Sequence, residues 1–197
     1  MILRLTRVPL ALAALLAAAH ALAAGPSTSV VVSGAVDHPT SYTAATLNAL
    51  PQVTQTDTFA SGATPQTHTY TGPTIWNAVN AAGVQTTPGA KNDILDRYVP
   101  ATGTDGYRVV YSMGEIDPAF GNQPDRVAYE ADGQMPASTG FARLVVPGDA
   151  KAGRYVSNLI NLQVFTASPV PEPTDVAMLL AGLAGLGAFA RATRRTR

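Results

Sequence analysis

Short alternating runs of apolar and polar residues fill the centre of this chain, and unbroken apolar stretches stand near both ends. Ser29–Val36 reads Ser-Val-Val-Val-Ser-Gly-Ala-Val, β-branched and bounded by turn formers, and predicts a first strand. Asp37-His38-Pro39 predicts a turn. Ala44–Leu50 predicts a short helix, with Thr43 able to cap its first turn and Pro51 to end it. Gln52–Phe59 and Thr67–Thr71 predict two strands around the hairpin turn Ala60–Gln66. Ile75, Val79 and Ala82 share one helical face after Gly72-Pro73-Thr74, and Gly83 fits the helix end.

Beyond a loop at Gln85–Ala90, strands are predicted at Asn92–Ala101, Tyr107–Ser112, Arg126–Ala131, Phe141–Val146 and Arg154–Thr166. Thr102–Gly106, Asp132-Gly133 and Pro147–Gly153 are turns, Gly114–Pro118 a single helical turn, and Gln134–Gly140 an extended loop. The sum is an α+β, β-rich domain without an internal repeat.

The two ends change the picture. Arg4 and Arg7 precede an apolar stretch from Val8 to about Ala19 and small residues at Ala21, Ala23 and Ala24. That is the layout of a secretory signal peptide over residues 1–24, cleaved after Ala23 or Ala24 by signal peptidase. At the other end, residues 168–174 form a proline-rich linker. Residues 175–197 carry an apolar run, Val176–Ala190, and then Arg191, Arg194, Arg195 and Arg197. The run is short for a bilayer span, and the arginines favour the cytoplasmic side.

Between the ends, residues 25–167 are the domain. Gly25–Pro169 holds seven basic against eleven acidic side chains, a net charge of −4, although the whole chain sums to zero. A mildly acidic domain without a basic stripe argues against nucleic acid as a partner. The chain has no cysteine, which excludes disulfides, a thiolate nucleophile and thiolate metal ligands.

The tail resembles the PEP-CTERM sorting signal of Gram-negative bacteria. Pro171, Glu172 and Pro173 form the box, followed by the apolar helix and the arginine-rich end. The resemblance implies export across the inner membrane, transient anchoring there, processing by an exosortase, and delivery to the periplasm, cell surface or extracellular space.

A second resemblance covers roughly Ser29–Phe165. Val32-Ser33-Gly34-Ala35-Val36 with Pro39, Leu47 with Leu50-Pro51, and Tyr70-Thr71-Gly72-Pro73 with Ile75-Trp76 and Ala82-Gly83-Val84 carry its first half. Thr104-Asp105-Gly106-Tyr107, Glu115, Asp132-Gly133, Gly140, Arg143–Gly148, Leu159, Leu162 and Val164 carry the rest. These segments resemble the molybdopterin-binding domain of the sulfite oxidase type in a small, exported, single-domain form, which implies a mixed-sheet fold flanked by a signal helix and a C-terminal hydrophobic helix. Members of that family hold molybdenum through a cysteine thiolate and the pterin phosphate through basic residues, including a lysine just before a Trp-Leu pair. Here there is no cysteine, and the aligned positions are Ser157 and Asn158. Arg143, Arg154 and Tyr107 remain as cofactor-binding candidates near a cleft formed by Tyr107–Glu115 and Arg143–Arg154.

The expectation is a retained fold with lost molybdoenzyme chemistry: no cofactor, no catalytic residue, no metal ligand, and a ligand-binding or matrix role, an extracellular matrix polymer being one possible partner. The alternative is a molybdopterin-dependent oxidoreductase using non-cysteine ligands. His38, His68 and Asp37 lack the spacing of a metal motif. Ser112, Ser138 and Ser157 lack a nucleophile elbow. Asp105 and Asp117 suit turns better than acid–base work, and Glu115 stands between them. The Gly103–Gly106 and Pro147–Gly153 stretches suit hairpins rather than phosphate loops.

Overall fold

The computed structural model describes residues 25–135, 140–167, 178–184, 186 and 191. The expected signal peptide, the Pro171–Pro173 box, Ser138 and most of the linker and tail lie outside the described residues. Residues 178–184 are helical, with Met178, Leu179, Leu180 and Leu183 exposed. Among the described residues no helix is long and apolar enough to cross a membrane.

The core is built on a five-stranded mixed sheet. Its strands are β1 (Val30–Gly34), β2 (Thr40–Tyr42), β5 (Arg97–Gly103), β6 (Arg108–Ser112) and β10 (Leu159–Thr166), in the order β2-β1-β10-β5-β6. β1 and β10 run parallel, with Val32 beside Leu162, so the two ends of the domain close on one another. The other pairs are antiparallel. Alternation puts Val30, Val32, Leu162, Val164, Val99, Ala101 and Tyr111 into one buried cluster.

A second sheet orders β3 (Gln52–Ser61), β4 (Thr64–Pro73) and β8 (Glu130–Ala131); β7 (Arg126–Ala128) and β9 (Arg143–Val145) pair separately. β3 and β4 are one long hairpin in unbroken register from Gln52↔Pro73 to Ser61↔Thr64. Gly62 takes φ 64° at the first central turn position, which a two-residue II′ connection requires.

The helices form where local chemistry asks for them. In α1 (Ala44–Asn48), Thr43 accepts from the Thr46 amide and the Thr46 side chain returns to the Thr43 amide, a reciprocal capping box. Thr74 caps α2 (Ile75–Ala81) by accepting from the Asn77 amide, and Ile75, Ala78 and Val79 pack into the core. Ser112 caps the single turn α3 (Met113–Ile116).

Several boundaries differ from the sequence reading. The hairpin turn expected over Ala60–Gln66 shrinks to two residues, because β3 runs on to Ser61 and β4 starts at Thr64. β2 is an additional strand, too short for its period to show between Pro39 and the Thr43 cap. The strand expected from Asn92 begins at Arg97. Asp93 accepts from the Thr87 amide at 2.6 Å and pairs with Arg97 at 2.8 Å, closing residues 93–96 into a 3₁₀ turn.

The strand expected over Arg126–Ala131 is split. β7 pairs with β9, then Tyr129 hands the chain to β4 through β8. Gly72 permits this crossing, because a Cβ there would collide with the Val127 carbonyl. Finally, β10 starts at Leu159 rather than Arg154. Residues 152–154 form a 3₁₀ turn, and Asn158 takes φ 50°, a left-handed conformation that asparagine tolerates.

Candidate functional site

Arg154 ends the 3₁₀ turn before β10 and faces the loop that precedes it. Its Nε and Nη2 donate to the two Asp149 oxygens at 2.9 and 2.7 Å, and its Nη1 donates to Glu115 of α3 at 2.7 Å. The bidentate bond to Asp149 fixes the guanidinium plane. Hydrogen bonds from Arg154 to Asp149 and then to Glu115 hold the guanidinium firmly charged, against the opposing cost of its burial. Tyr107 and Tyr111 fix the backbone beneath: their hydroxyls donate to the Gly153 and Arg154 carbonyls, both at 2.5 Å.

The local charge is negative. One guanidinium meets two carboxylates, and Asp125 lies buried close by, 1% exposed. Among the described residues Asp125 Oδ2 has no hydrogen-bond partner. Burial, reinforced by Glu115 and opposed by Arg154, pushes the Asp125 carboxyl up to about 7. Burial likewise raises the Tyr111 phenol, with Asp125 adding to the effect.

Arg143 stands on β9 in different company. Its guanidinium carbon lies 5.8 Å from the Tyr70 ring centre and 5.9 Å from that of Tyr155. Nη2 donates to Ser157 Oγ at 3.2 Å, and Nε is buried without a partner among the described residues. Phe59 packs on Tyr155 with centroids 4.6 Å apart, and His68 lies 5.9 Å from Tyr70. The arginine is thus seated on aromatic faces, where its charge is balanced by ring quadrupoles rather than by an anion.

The sequence candidates separate into two groups. Tyr107 reaches the Gly153 carbonyl, one residue before Arg154, whereas Arg143 belongs to the Tyr70–Tyr155 cluster. A cleft of about 530 Å³ is lined by residues such as Ser27, Ser33, Thr104 and Asn161, and another of about 540 Å³ by residues such as Asn48, Tyr129 and Met135. None of Arg143, Arg154 and Tyr107 lines either one.

The other candidates resolve locally. Asp105 accepts from the Tyr107 amide and Asp117 from the Ala119 amide, which is turn chemistry. Ser112 is a helix cap and Ser157 a partner of Arg143. His68 Nδ1 lies 2.6 Å from Asp132 Oδ2, and the other Asp132 oxygen accepts from the Thr69 amide. The His68 bond, with that amide, holds the Asp132 carboxyl below its usual value. Among the described residues no three His, Asp or Glu side chains converge as a metal site would need.

Sequence reasoning gave Arg126 no role, yet it is the most secluded cation described. It is fully buried on β7, donating to the Gln55 side chain at 2.8 Å and the Tyr70 carbonyl at 3.3 Å. Asp57 lies 3.8 Å away and is itself 5% exposed. Burial raises the Asp57 carboxyl, with Arg126 and then Gln55 opposing. The only signal in the sequence is a charge inside an apolar strand, which exposed edge strands also carry.

The residues present do not fit a molybdenum cofactor bound in the family's manner. No thiolate is available, the lysine position is Ser157, Arg154 is neutralised by Asp149 and Glu115, and Arg143 lies against the Tyr70 and Tyr155 rings. A pterin phosphate brought to Arg154 would meet two carboxylates and the buried Asp125.

Comparison with known proteins places the fold. No family model and no curated protein matches the sequence. Among solved structures, the chain is similar to one in the crystal structure of the sulfane dehydrogenase SoxCD from Paracoccus pantotrophus, with TM-score 0.56 and 19% identity. The match covers 74% of this chain and 39% of that one, so this chain spans well under half the length of its neighbour. The likeness is one of fold, a sheet-rich α+β architecture consistent with a sulfite-oxidase-like domain.

Proposed function

We propose that this chain is an exported, exosortase-sorted protein of the cell surface or extracellular matrix. Its domain keeps the sulfite-oxidase-type architecture and serves as a ligand-binding or matrix module without molybdenum chemistry. The observation that carries this reading is the state of Arg154. The cation best placed by sequence to meet an anionic cofactor is held by Asp149 through two hydrogen bonds and by Glu115 through a third. The missing cysteine removes the metal's usual ligand as well.

Export and sorting are supported by the two ends of the sequence: the basic-apolar-small start, and the Pro171–Pro173 box with its apolar run and arginines. A C-terminal mass measurement on protein recovered outside the inner membrane tests this part. Loss of residues beyond the Pro-Glu-Pro region is expected, and an intact Arg197 would overturn it.

The ligand-binding role is tested by thermal-shift measurements of the purified chain against pterins, nucleotides and sugars. A neutral sugar or polar small molecule is expected to raise Tm, and molybdopterin is not. Indifference to every compound would leave the matrix role as the surviving form of the proposal.

A further inference from the structure

The five-stranded sheet buries one face and leaves the other open. Val30, Val32 and Val164 point inward and are buried, whereas Val31, Val110 and Phe165 point outward and are 39%, 56% and 37% exposed. The strand register sets the outward residues side by side. Val31, Asn161, Thr102 and Arg108 make one row across β1, β10, β5 and β6. Ser33 and Gln163 are neighbours in the next row, and Phe165 and Tyr98 in a third. The Phe165 and Tyr98 rings stack, with centroids 5.5 Å apart and planes at 16°.

At the Asn161 end this face deepens into the cleft of about 530 Å³, lined by the segment 26–29, by Thr104, and by Val31, Ser33, Ile160 and Asn161 of the sheet. Asn158 shapes it. In its left-handed conformation its carbonyl accepts from the Thr104 amide at 3.0 Å, and its Oδ1 accepts from the Ser27 amide at 3.2 Å. The Ser27 carbonyl accepts from the Phe141 amide at 3.2 Å. Two separate parts of the lining are therefore tied to one residue, and the cleft is formed before any ligand arrives.

The chemistry of the face selects a ligand class. Among the described residues none that lines the cleft is charged, and Arg108 on the edge strand β6 is the charged residue among the outward strand positions. An anionic polymer would find no cation in the cleft, and a purely apolar partner would bury its hydroxyls and amide unpaired. The Ser33 hydroxyl lies 3.5 Å from Asn161 Oδ1, at the limit of a hydrogen bond, so both side chains keep capacity for a ligand. Val31 and Ile160 add apolar surface beside them. A sugar ring carries hydroxyls on its rim and C–H groups on its faces, and this lining offers partners for both.

Given the ligand-binding and matrix role proposed above, on which this rests, we propose that the open face binds a neutral polysaccharide, laid along β10 from the cleft at Asn161 to the Tyr98–Phe165 pair. Asn161 and Phe165 are about 13 Å apart at the rise of a strand, too far for one sugar ring to touch both. Gln163 lies between them on the same face. A chain of several sugars meets amides at Asn161 and Gln163 and packs its C–H groups on the aromatic pair.

Affinity electrophoresis tests this. The full chain, in a detergent without a sugar headgroup, is run in native gels containing a soluble β-glucan, galactomannan or dextran, or the polyanion alginate. Asn161→Ala, Phe165→Ala and Phe165→Tyr run beside it, with Met135→Ala as a control from the other cleft. At least one neutral polysaccharide is expected to retard the parent chain. Asn161→Ala and Phe165→Ala should each weaken the retardation by about tenfold, while Met135→Ala leaves it unchanged. Phe165→Tyr keeps it, which separates loss of the ring from loss of the fold.

Retardation that survives both alanine variants would overturn this site and leave the ligand-binding role standing. Retardation by alginate alone would overturn the neutral class. No retardation in any gel would also overturn the proposal, and the Tm screen of small compounds then decides the broader ligand-binding role by itself.

Discussion

Arg154 grips Asp149 with two nitrogens, at 2.9 and 2.7 Å, and spends its third on Glu115, 39 residues away. A cation committed on three sides is a strut, and it ties the loop before β10 to α3. Replacing Arg154 by Ala leaves two carboxylates beside the buried Asp125. The pair is partly exposed, so solvent screening limits its worth. A loss of about 1–2 kcal/mol in urea unfolding is expected, with most of it recovered when Glu115→Gln and Asp149→Asn are added.

Asp125 should make stability depend on pH. Its carboxyl is raised from 3.8 to about 7 in the folded chain. Between those values the folded chain keeps a proton that the unfolded chain has released, so stability falls as pH rises through the window and levels off above it. Asp125→Asn should flatten that slope, and its gain over the parent at pH 8 should be on the order of 2–4 kcal/mol. Unfolding curves at pH 4.5 and pH 8 check this; parallel behaviour of the two proteins would count against it.

Arg126 and Asp57 form a secluded pair with Gln55 between them. Removing one partner strands the other charge in the core. Arg126→Ala should cost about 3–5 kcal/mol. An Arg126→Met, Asp57→Leu double variant should recover much of that, because buried ion pairs are readily exchanged for apolar groups of similar volume. Thermal unfolding of the two variants decides between these outcomes.

Gly72 is where β4 and β7 press together. A methyl group there meets the Val127 carbonyl and the Ala128 backbone, neither of which can swing aside. Gly72→Ala should destabilise the domain by about 2–4 kcal/mol, whereas Gly133→Ala, with open space around its Cβ position and φ 74°, should cost about 1 kcal/mol. Denaturant midpoints measure the contrast.

What could be read beforehand follows the range of the forces involved. The Thr43 cap and the Asp105 and Asp117 turns depend on residues a few positions apart, and they are visible as spacing; the β3–β4 hairpin is visible too, but its turn is two residues rather than Ala60–Gln66. The split of β7 from β8 depends on a glycine more than fifty residues earlier in the chain, so a continuous apolar run gives no hint of it. The 3₁₀ turns at residues 93–96 and 152–154 are accompanied by carboxylate–arginine contacts, Asp93 with Arg97 and Arg154 with Asp149 and Glu115, whose partners the strand pattern does not reveal.

The candidate site divides in the same way. Tyr107 and Arg154 could be named from the resemblance; Tyr107 donates to the Gly153 carbonyl, next to Arg154 in the chain, while the Arg154 carbonyl is taken by Tyr111. That Asp149 and Glu115 would neutralise Arg154, or that Tyr70 and Tyr155 would flank Arg143, required the fold. Arg126 had no sequence signal beyond its charge.

The central proposal is that a sulfite-oxidase-type architecture here works without molybdenum chemistry. The most direct test is elemental and pterin analysis of the full chain purified from its native host. The account predicts molybdenum and pterin far below one per chain. A stoichiometric content of either would contradict it.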